Sequence, residues 1–455
     1  MAMRREHDLL GSLDIPDELW GIHTHRALCN FPFTGRRVSV RLCRALALVK
    51  QACAVTNLEI GALPPEVGAA IVRAAVSVAT GEHTDAFPLP ALQGGAGTSF
   101  NMNMNEVLAN LALTSLGAPR GDYARVSPLD HVNLHQSTND VFPTAVKVAC
   151  ITSLRELSQA LESLQQLLQD QERQQAGVLT VGRTELMPAV PMTLGAQFAS
   201  FAEPISRDRW RTFKCEERLR VVNLGGTAIG TGLGAPRRYV FRVVDHLREL
   251  TGYGLARAEN MIEQTANADV FGEVGGSLAA AAANLGRIGE DLRRLHLLGE
   301  IQLPAVQAGS SLMPGKVNPV IAEAVVATSL KVRARISLIN EAVARGSLQL
   351  NEWLPLIADE TLQAMEELLQ AARMLAAHLP GVVALPAVCA RHLEESPALV
   401  TAFVPHLGYE RCEALVQRFA ATHQTNWRTF LIAELGQELV DRALAPAALL
   451  QPNTR

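Results

Sequence analysis

Four polar segments interrupt an otherwise apolar helical pattern, and they hold most of the side chains that could do chemistry. The first runs Gln93-Gly94-Gly95-Ala96-Gly97-Thr98-Ser99-Phe100-Asn101-Met102-Asn103. Its glycines let backbone N–H groups approach an anion, and Thr98 and Ser99 add hydroxyl donors. Taken alone, the same residues read more simply as a polar loop with a helix cap. The second, His135-Gln136-Ser137-Thr138-Asn139-Asp140-Val141-Phe142-Pro143-Thr144, opens a long helix. There Ser137, Thr138 and Asn139 meet the free N–H groups and the positive end of the dipole, which suits a carboxylate. Ordinary capping would use only one of the three.

The third segment, Gly182-Arg183-Thr184-Glu185 followed by Ala189-Val190-Pro191-Met192-Thr193-Leu194-Gly195, reads as a loop re-entering a helix. Glu185 is then a solvated or dipole-paired acid. The fourth is Gly309-Ser310-Ser311-Leu312-Met313-Pro314-Gly315-Lys316-Val317-Asn318-Pro319. Two hydroxyls, a flexible backbone and one cation, Lys316, suit a loop that closes over an anionic substrate. A free serine is too weak a base at neutral pH. Ser310 would need N–H donors and a cation to favour its alkoxide, in a site closed to water. A glycine-rich interhelix loop with a surface lysine has the same spacing.

The elements behind these segments are helical. Leu154, Leu157, Leu161, Leu164 and Leu168 recur at three- and four-residue spacing, as do Val270, Val274, Leu278, Leu285, Ile288, Leu292 and Leu295. A third run spans about 321–345, and a fourth, around Leu362, Met365, Leu369 and Leu375, ends before Pro380. Helices of roughly 20 to 30 residues predict a mostly α fold with an elongated central bundle. Before residue 130 the patterns are shorter and marked by turns such as Gly61-Ala62-Leu63-Pro64-Pro65, and strand-like alternation is rare. Three domains are expected: 1–134 as an N-terminal domain, 135–384 as the bundle, and 385–455 as a small C-terminal domain. The tail Gln451-Pro452-Asn453-Thr454-Arg455 reads as frayed.

Composition excludes some partners. The chain has 455 residues, 48% hydrophobic and only 19% charged, so it can bury a large core or a large subunit interface. A formal charge of -4 gives no reason to expect nucleic acid or an anionic membrane. No apolar run is long enough to span a bilayer, and Met-Ala-Met-Arg-Arg-Glu-His-Asp lacks a signal-peptide core. Seven scattered cysteines without a CxxC pair predict a reduced, cytoplasmic protein. His131 and His135 have the spacing of a metal pair, but no third ligand of matching spacing accompanies them, so no metal site is expected. Gly230-x-Gly232-x-Gly234 follows no strand and lacks the setting of a dinucleotide site.

In this order the four segments resemble the aspartase/fumarase superfamily. Its signature Gly-Ser-Ser-x-Met-Pro-x-Lys-x-Asn is matched at every specified position by residues 309–318. Further matches are Trp20-Gly21-Ile22-His23-Thr24, Asp130-His131-Val132-Asn133, Gly226-Thr227-Ala228-Ile229-Gly230-Thr231-Gly232-Leu233, Gln349-Leu350-Asn351 and Leu399-Val400-Thr401-Ala402. The Gly-Ile-His-Thr start and the Met192-Thr193-Leu194-Gly195 run look more like the aspartate ammonia-lyases than the fumarases.

The resemblance implies a three-domain subunit and a homotetramer whose central helices form a twenty-helix core. Each active site would be shared by three subunits. It implies removal of a proton beside a carboxylate, an aci-carboxylate dianion that expels the β-leaving group, and no cofactor in the chemistry. Carried over, Ser310 is the base. Ser311, Thr98, Ser137 and Thr138 bind the carboxylate that becomes the dianion, and Ser99 joins the substrate-binding set. Lys316, Asn318 and Thr184 hold the other carboxylate, while Asn139 faces the leaving amino group. Gly225 to Gly232 become packing glycines near the site.

The departures concern the leaving group. The family has His or Gln where this chain has Glu185, and Met187-Pro188 replaces the usual Gln-Asp. The Ser-Gly-Pro-Arg segment that relatives carry before Glu300-Ile301-Gln302-Leu303-Pro304 is missing after Gly299. The expected reaction is elimination of ammonia from L-aspartate to give fumarate. The alternatives are a related lyase on another amino dicarboxylate or N-substituted aspartate, a fumarate hydratase, and last a non-catalytic paralogue.

Overall fold

The computed structural model describes residues 2–450, so the tail from Gln451 lies outside the described residues. The chain is mostly α, with 64% of it helical. A hairpin, β1 (Met3–Asp8) and β2 (Gly11–Pro16), precedes α1 (Ile22–Asn30), α2 (Val40–Glu59), α3 (Pro65–Thr80) and α4 (Thr98–Ser115). Then come α5 (Thr138–Gln174), a second hairpin of β3 (Leu179–Thr184) and β4 (Met187–Thr193), and α6 (Leu194–Leu219). The rest is α7 (Arg237–Thr251), α8 (Met261–Ala266), α9 (Asp269–Leu297), α10 (Val320–Val343), α11 (Leu354–His378), α12 (Pro386–Glu394) and shorter helices to Leu449. No helix among the described residues is long and apolar enough to cross a membrane.

The periodic leucines are where the pattern places them. Leu157, Leu161, Leu164 and Leu168 on α5 are fully buried, as is Leu292 on α9. At 37 residues α5 exceeds the expected length. Before residue 130 the helices are also longer than the broken pattern predicts, with α2 reaching 20 residues. The reason is packing: α2 buries Leu42, Leu46, Val49 and Cys53 against α3 and α7, and its more exposed stripe carries apolar Val40, Leu48 and Val55, which masks the amphipathic period.

The chain folds into two compact units. The first comprises 1–158, 210–280 and 331–368, and the second 159–209, 281–330 and 369–455. In the first unit α1 is tied to α4 by one buried acid. Glu106 accepts the N–H groups of Gly21 (2.9 Å) and His23 (2.8 Å) and the Thr24 hydroxyl (2.6 Å), filling the open N-terminus of α1. The Gly-Ile-His-Thr match is thus a helix start seated on a carboxylate. Asn351 is likewise structural: its amide donates to the carbonyls of Ala342 (3.1 Å) and Arg345 (2.7 Å), closing the end of α10.

In the second unit Val181 of β3 joins a core made of Leu399, Val400, Phe403, Trp427, Phe430 and Leu431. Phe419 stacks on Trp427 with ring centroids 3.7 Å apart. The segment expected as a loop is therefore the β3–β4 hairpin, a correction with an identifiable cause. Its two-residue turn is Glu185-Leu186, with φ of 52° and 64°, the left-handed pair that Asn-Gly normally supplies. Two residues that disfavour this conformation hid the turn from sequence reasoning.

Candidate active site

In the first unit the polar cluster is built on the start of α5. Ser137 caps the helix, its Oγ accepting the N–H of Asn139 at 3.2 Å, while Asp140 Oδ1 accepts the N–H of Ser137 at 3.0 Å. This reciprocal pair is a capping box in the wider sense. The other oxygen of Asp140 accepts from Gly225 (3.1 Å) and Thr227 (3.0 Å), docking the Gly225–Gly234 loop on the helix start. Pro143 has no N–H to offer the Asn139 carbonyl. Asn223 Nδ2 takes that carbonyl instead, at 2.9 Å. Gly230 in the same loop packs so closely that a Cβ would stand 2.2 Å from the Met261 carbonyl oxygen. Gly226 is close-packed as well, since a Cβ there would stand 2.9 Å from the Asn223 carbonyl oxygen.

The start of α4 supplies the opposite wall. Gly97 caps it with φ of 93°, and a Cβ there would stand 2.7 Å from the Phe142 ring. Thr98 follows, exposed, whereas Ser99 is buried. Thr98, Asn101, Asn133, Gln136, Ser137 and Thr138 share the lining of one cavity of about 440 Å³ with Thr227 and Ala228. Ser99 is not among its lining residues. The amide of Asn139 donates to the Ala228 carbonyl at 2.8 Å, leaving its oxygen as the end available to a ligand.

A buried network lies behind this cavity. Lys50 on α2, 1% exposed, donates to Asn133 Oδ1 (3.0 Å) and Gln136 Oε1 (2.8 Å). Asn133 Oδ1 also accepts from Asn101 (3.2 Å) and Asn105 (3.1 Å), and Asn101 donates to Thr138 Oγ1 at 3.1 Å. Burial pushes the Lys50 ammonium down to about 7 and the Asp140 carboxyl up to about 6, each opposed by the charge of the other. Sequence reasoning assigned no role to Lys50, Asn101, Asn133, Gln136 or Asp140. Lys50 did leave a signal, since it is a lone cation among Leu46, Val49 and Cys53. The histidines behave as ordinary polar partners: His131 Nδ1 accepts the N–H of Ser127 at 2.9 Å, and His135 bonds Asn57 at 2.7 Å.

The second unit carries the remaining site candidates. Ser310 is half-buried, and its Oγ accepts the N–H groups of Leu312 (3.0 Å) and Met313 (2.8 Å). The loop is drawn shut at its neck, where the Gly309 N–H meets the Lys316 carbonyl at 2.7 Å and Asn318 Nδ2 meets the Gly309 carbonyl at 2.8 Å. A side chain at Gly309 would collide with that neck, 2.8 Å from the Lys316 oxygen. Between these ends Ser311, Leu312 and Lys316 are exposed, with Leu312 at 86%.

Thr184 closes β3, and Glu185 stands exposed at the hairpin tip. Glu185 borders a cavity of about 760 Å³ that Arg183, Arg287, Asp291 and Arg294 also line. The short connection after α9 closes on Gly299, whose φ of 71° lets Glu300 N–H reach back to the Leu295 carbonyl. Glu300 is then buried against Arg183 (2.6 Å) and His392 (2.9 Å).

Residues 13–334 match a family model described as lyase. The chain is 37% identical to the aspartate ammonia-lyase of Bacillus subtilis, over 99% of this chain and 96% of that one. It is 40% identical to the class II fumarate hydratase of Nitrosomonas europaea, over 91% and 92% of the two chains. Among solved structures, the fumarate lyase:delta crystallin of Brucella melitensis in its native form superposes with a TM-score of 0.91 at 40% identity, covering 97% of this chain and all of that one. With that coverage and a shared fold, the chain belongs to the aspartase/fumarase superfamily of lyases.

Proposed function

We propose that this lyase eliminates ammonia from L-aspartate to give fumarate, with Ser310 as the base. The observation that carries the reading is the pair of backbone N–H groups on Ser310 Oγ. Both donate to the oxygen, so both favour the alkoxide over the hydroxyl. The alkoxide takes a proton from the carbon beside one carboxylate. That carboxylate becomes a dianion, which collapses as the C–N bond breaks and ammonia departs.

Charge develops on the first carboxylate, so donors aimed at it are worth most in the transition state. Thr98, Ser137, Thr138 and Ser311 have that role. The hydroxyls of Ser137 and Thr138 each already accept an N–H, so the proton each has left to give points elsewhere, as a carboxylate needs. Lys316, Asn318 and Thr184 hold the second carboxylate. The free oxygen of Asn139 suits an ammonium leaving group. No step requires a cofactor.

A homotetramer whose active sites are shared by three subunits is part of the proposal. Exposed Trp210 (62%) and Phe213 on α6, with Leu330 (63%) and Leu338 on α10, are large apolar side chains that a further helix layer would cover. The seven cysteines are free, which suits a cytoplasmic setting. The test is release of ammonia and fumarate from L-aspartate by the full-length protein. Release of neither overturns the reading.

Glu185 favours a second reading, a C–N lyase for an N-substituted aspartate or another amino dicarboxylate. It lines the 760 Å³ cavity together with Arg183, Arg287 and Arg294, where an extended leaving group has room. A substrate panel separates the two, and turnover of aspartate alone removes this one. Formation of malate from fumarate would instead mark a hydratase.

A further inference from the structure

The lining of the 440 Å³ cavity contains hydroxyls, amides and His135 but no lysine or arginine, and a carboxylate, Asp140, is buried under the same helix start. An anion entering such a site meets donors in front and a negative charge behind. Lys50 is the group that changes this balance. Its ammonium reaches the cavity through one layer of side chains, bonding Asn133 and Gln136, both of which line it.

We propose that Lys50 is a positioning residue for carboxylate binding in this cavity, holding the Thr138 hydroxyl in its donating orientation and placing a positive charge behind the cavity wall. The orientation follows from the order of donors. Once protonated, as it becomes when a carboxylate binds, Lys50 has no lone pair to offer, so Asn133 and Gln136 turn their oxygens toward it. Asn133 Oδ1 then collects the amides of Asn101 and Asn105 as well. With its Nδ2 so directed, Asn101 also donates to Thr138 Oγ1, and the Thr138 proton is left for a ligand. Without Lys50, Asn133 Oδ1 loses its one charged donor, and the amide is held only by Asn101, Asn105 and its own 3.3 Å bond to the Gln136 carbonyl.

The charge acts alongside the relay. The groups facing Lys50 are Cys53 on its own helix, with Tyr239 of α7 behind that thiol, and Asp140 of α5. Burial pushes the Cys53 thiol up to about 12 and the Tyr239 phenol up as well, so neither is ionised near neutrality. Lys50 and Asp140 are therefore the pair that titrates there. A bound carboxylate adds a second negative charge and draws a proton onto Lys50.

The inference rests on the carboxylate role given to this cavity above, so the probe is succinate, which cannot undergo elimination. Titration calorimetry of the full-length protein at pH 8, in buffers of different ionisation enthalpy, reads both affinity and proton uptake. Lys50→Met and Lys50→Gln should each weaken succinate about tenfold or more and abolish the proton uptake, while Lys50→Arg stays within about threefold of wild type. With aspartate as substrate, the neutral variants should lose more in kcat/KM than in succinate affinity, because the dianion needs Thr138 more than the ground state does.

Neutral variants that fold and bind succinate like wild type overturn the proposal. So does an Arg variant as weak as Met, or a failure of both neutral variants to fold while Arg folds, since Lys50 would then serve folding alone. If wild type binds succinate but releases no ammonia from aspartate, the proposed reaction fails and the Lys50 result still stands. If aspartate is turned over and the neutral variants keep their succinate affinity, the Lys50 inference fails alone.

Discussion

Thr138→Val tests the logic of the site because it removes a hydroxyl and leaves the shape. Thr138 Oγ1 accepts from Asn101 Nδ2 at 3.1 Å, and Asn101 keeps a second bond to Asn133 at 3.2 Å. Losing one neutral hydrogen bond, with its donor otherwise engaged, should cost about 1 kcal/mol of stability. The catalytic cost is larger, because the Thr138 proton is directed to a carboxylate whose charge doubles during the reaction. A hydrogen bond to a charged group contributes about 1.5–3 kcal/mol, so kcat/KM should fall roughly 10- to 150-fold. Thr138→Ser keeps the hydroxyl and should stay within about fivefold of wild type. The assay is initial-rate ammonia release from aspartate, with urea unfolding followed by circular dichroism on the same preparations. Loss of stability without loss of kcat/KM would mean that the hydroxyl only holds Asn101, and the assignment of this cavity to the reacting carboxylate would be refuted.

Three further outcomes are expected. Ser310→Ala should lower kcat by at least about 10³-fold and leave the fold unchanged by circular dichroism, and full activity in this variant would mean the base is elsewhere. Gly97→Ala puts a methyl group against the Phe142 ring and an L-residue at φ of 93°, so strain and overpacking together should cost about 2–4 kcal/mol in denaturant unfolding; a cost near zero would show that α4 can shift freely at its cap. Glu216 and Glu367 are pushed up by burial, but the hydrogen bonds of Arg155 and Arg220 to one, and of Arg335 and Lys331 to the other, hold both carboxyls below 4.5. Their stabilisation is present above that value and is lost as pH falls through the depressed ones. Acid unfolding should therefore begin below about pH 4.5, and replacing both by Gln should flatten the profile there.

The long helices were legible in the sequence because α9 and the C-terminal part of α5 each bury a leucine row and leave other faces exposed, which prints a period of 3.6 on the chain. The loop at Gly309–Asn318 was legible for a different reason: its hydroxyls, glycines and single cation are a chemical specification that can be recognised without coordinates. The β3–β4 hairpin was not legible, because Glu185-Leu186 adopts a left-handed turn that neither residue favours. Tertiary support holds it there, with Val181 of β3 buried in the C-terminal core.

The sequence by itself determined the class of the fold, the family and the identity of the polar segments, since these depend on local periodicity and on side-chain chemistry. Tertiary structure decided what each polar side chain has left to give. Ser137 is a cap whose proton remains free, Asn139 has its amide committed to Ala228, and Thr138 is an acceptor for Asn101. It also decided that Lys50, distant in the chain from Asn133 and Asp140, joins them in the buried layer behind those groups. The physical reason is that a hydrogen bond is a pairwise relation fixed by distance and direction. A sequence names the donors and acceptors, and only packing settles which of them are already taken.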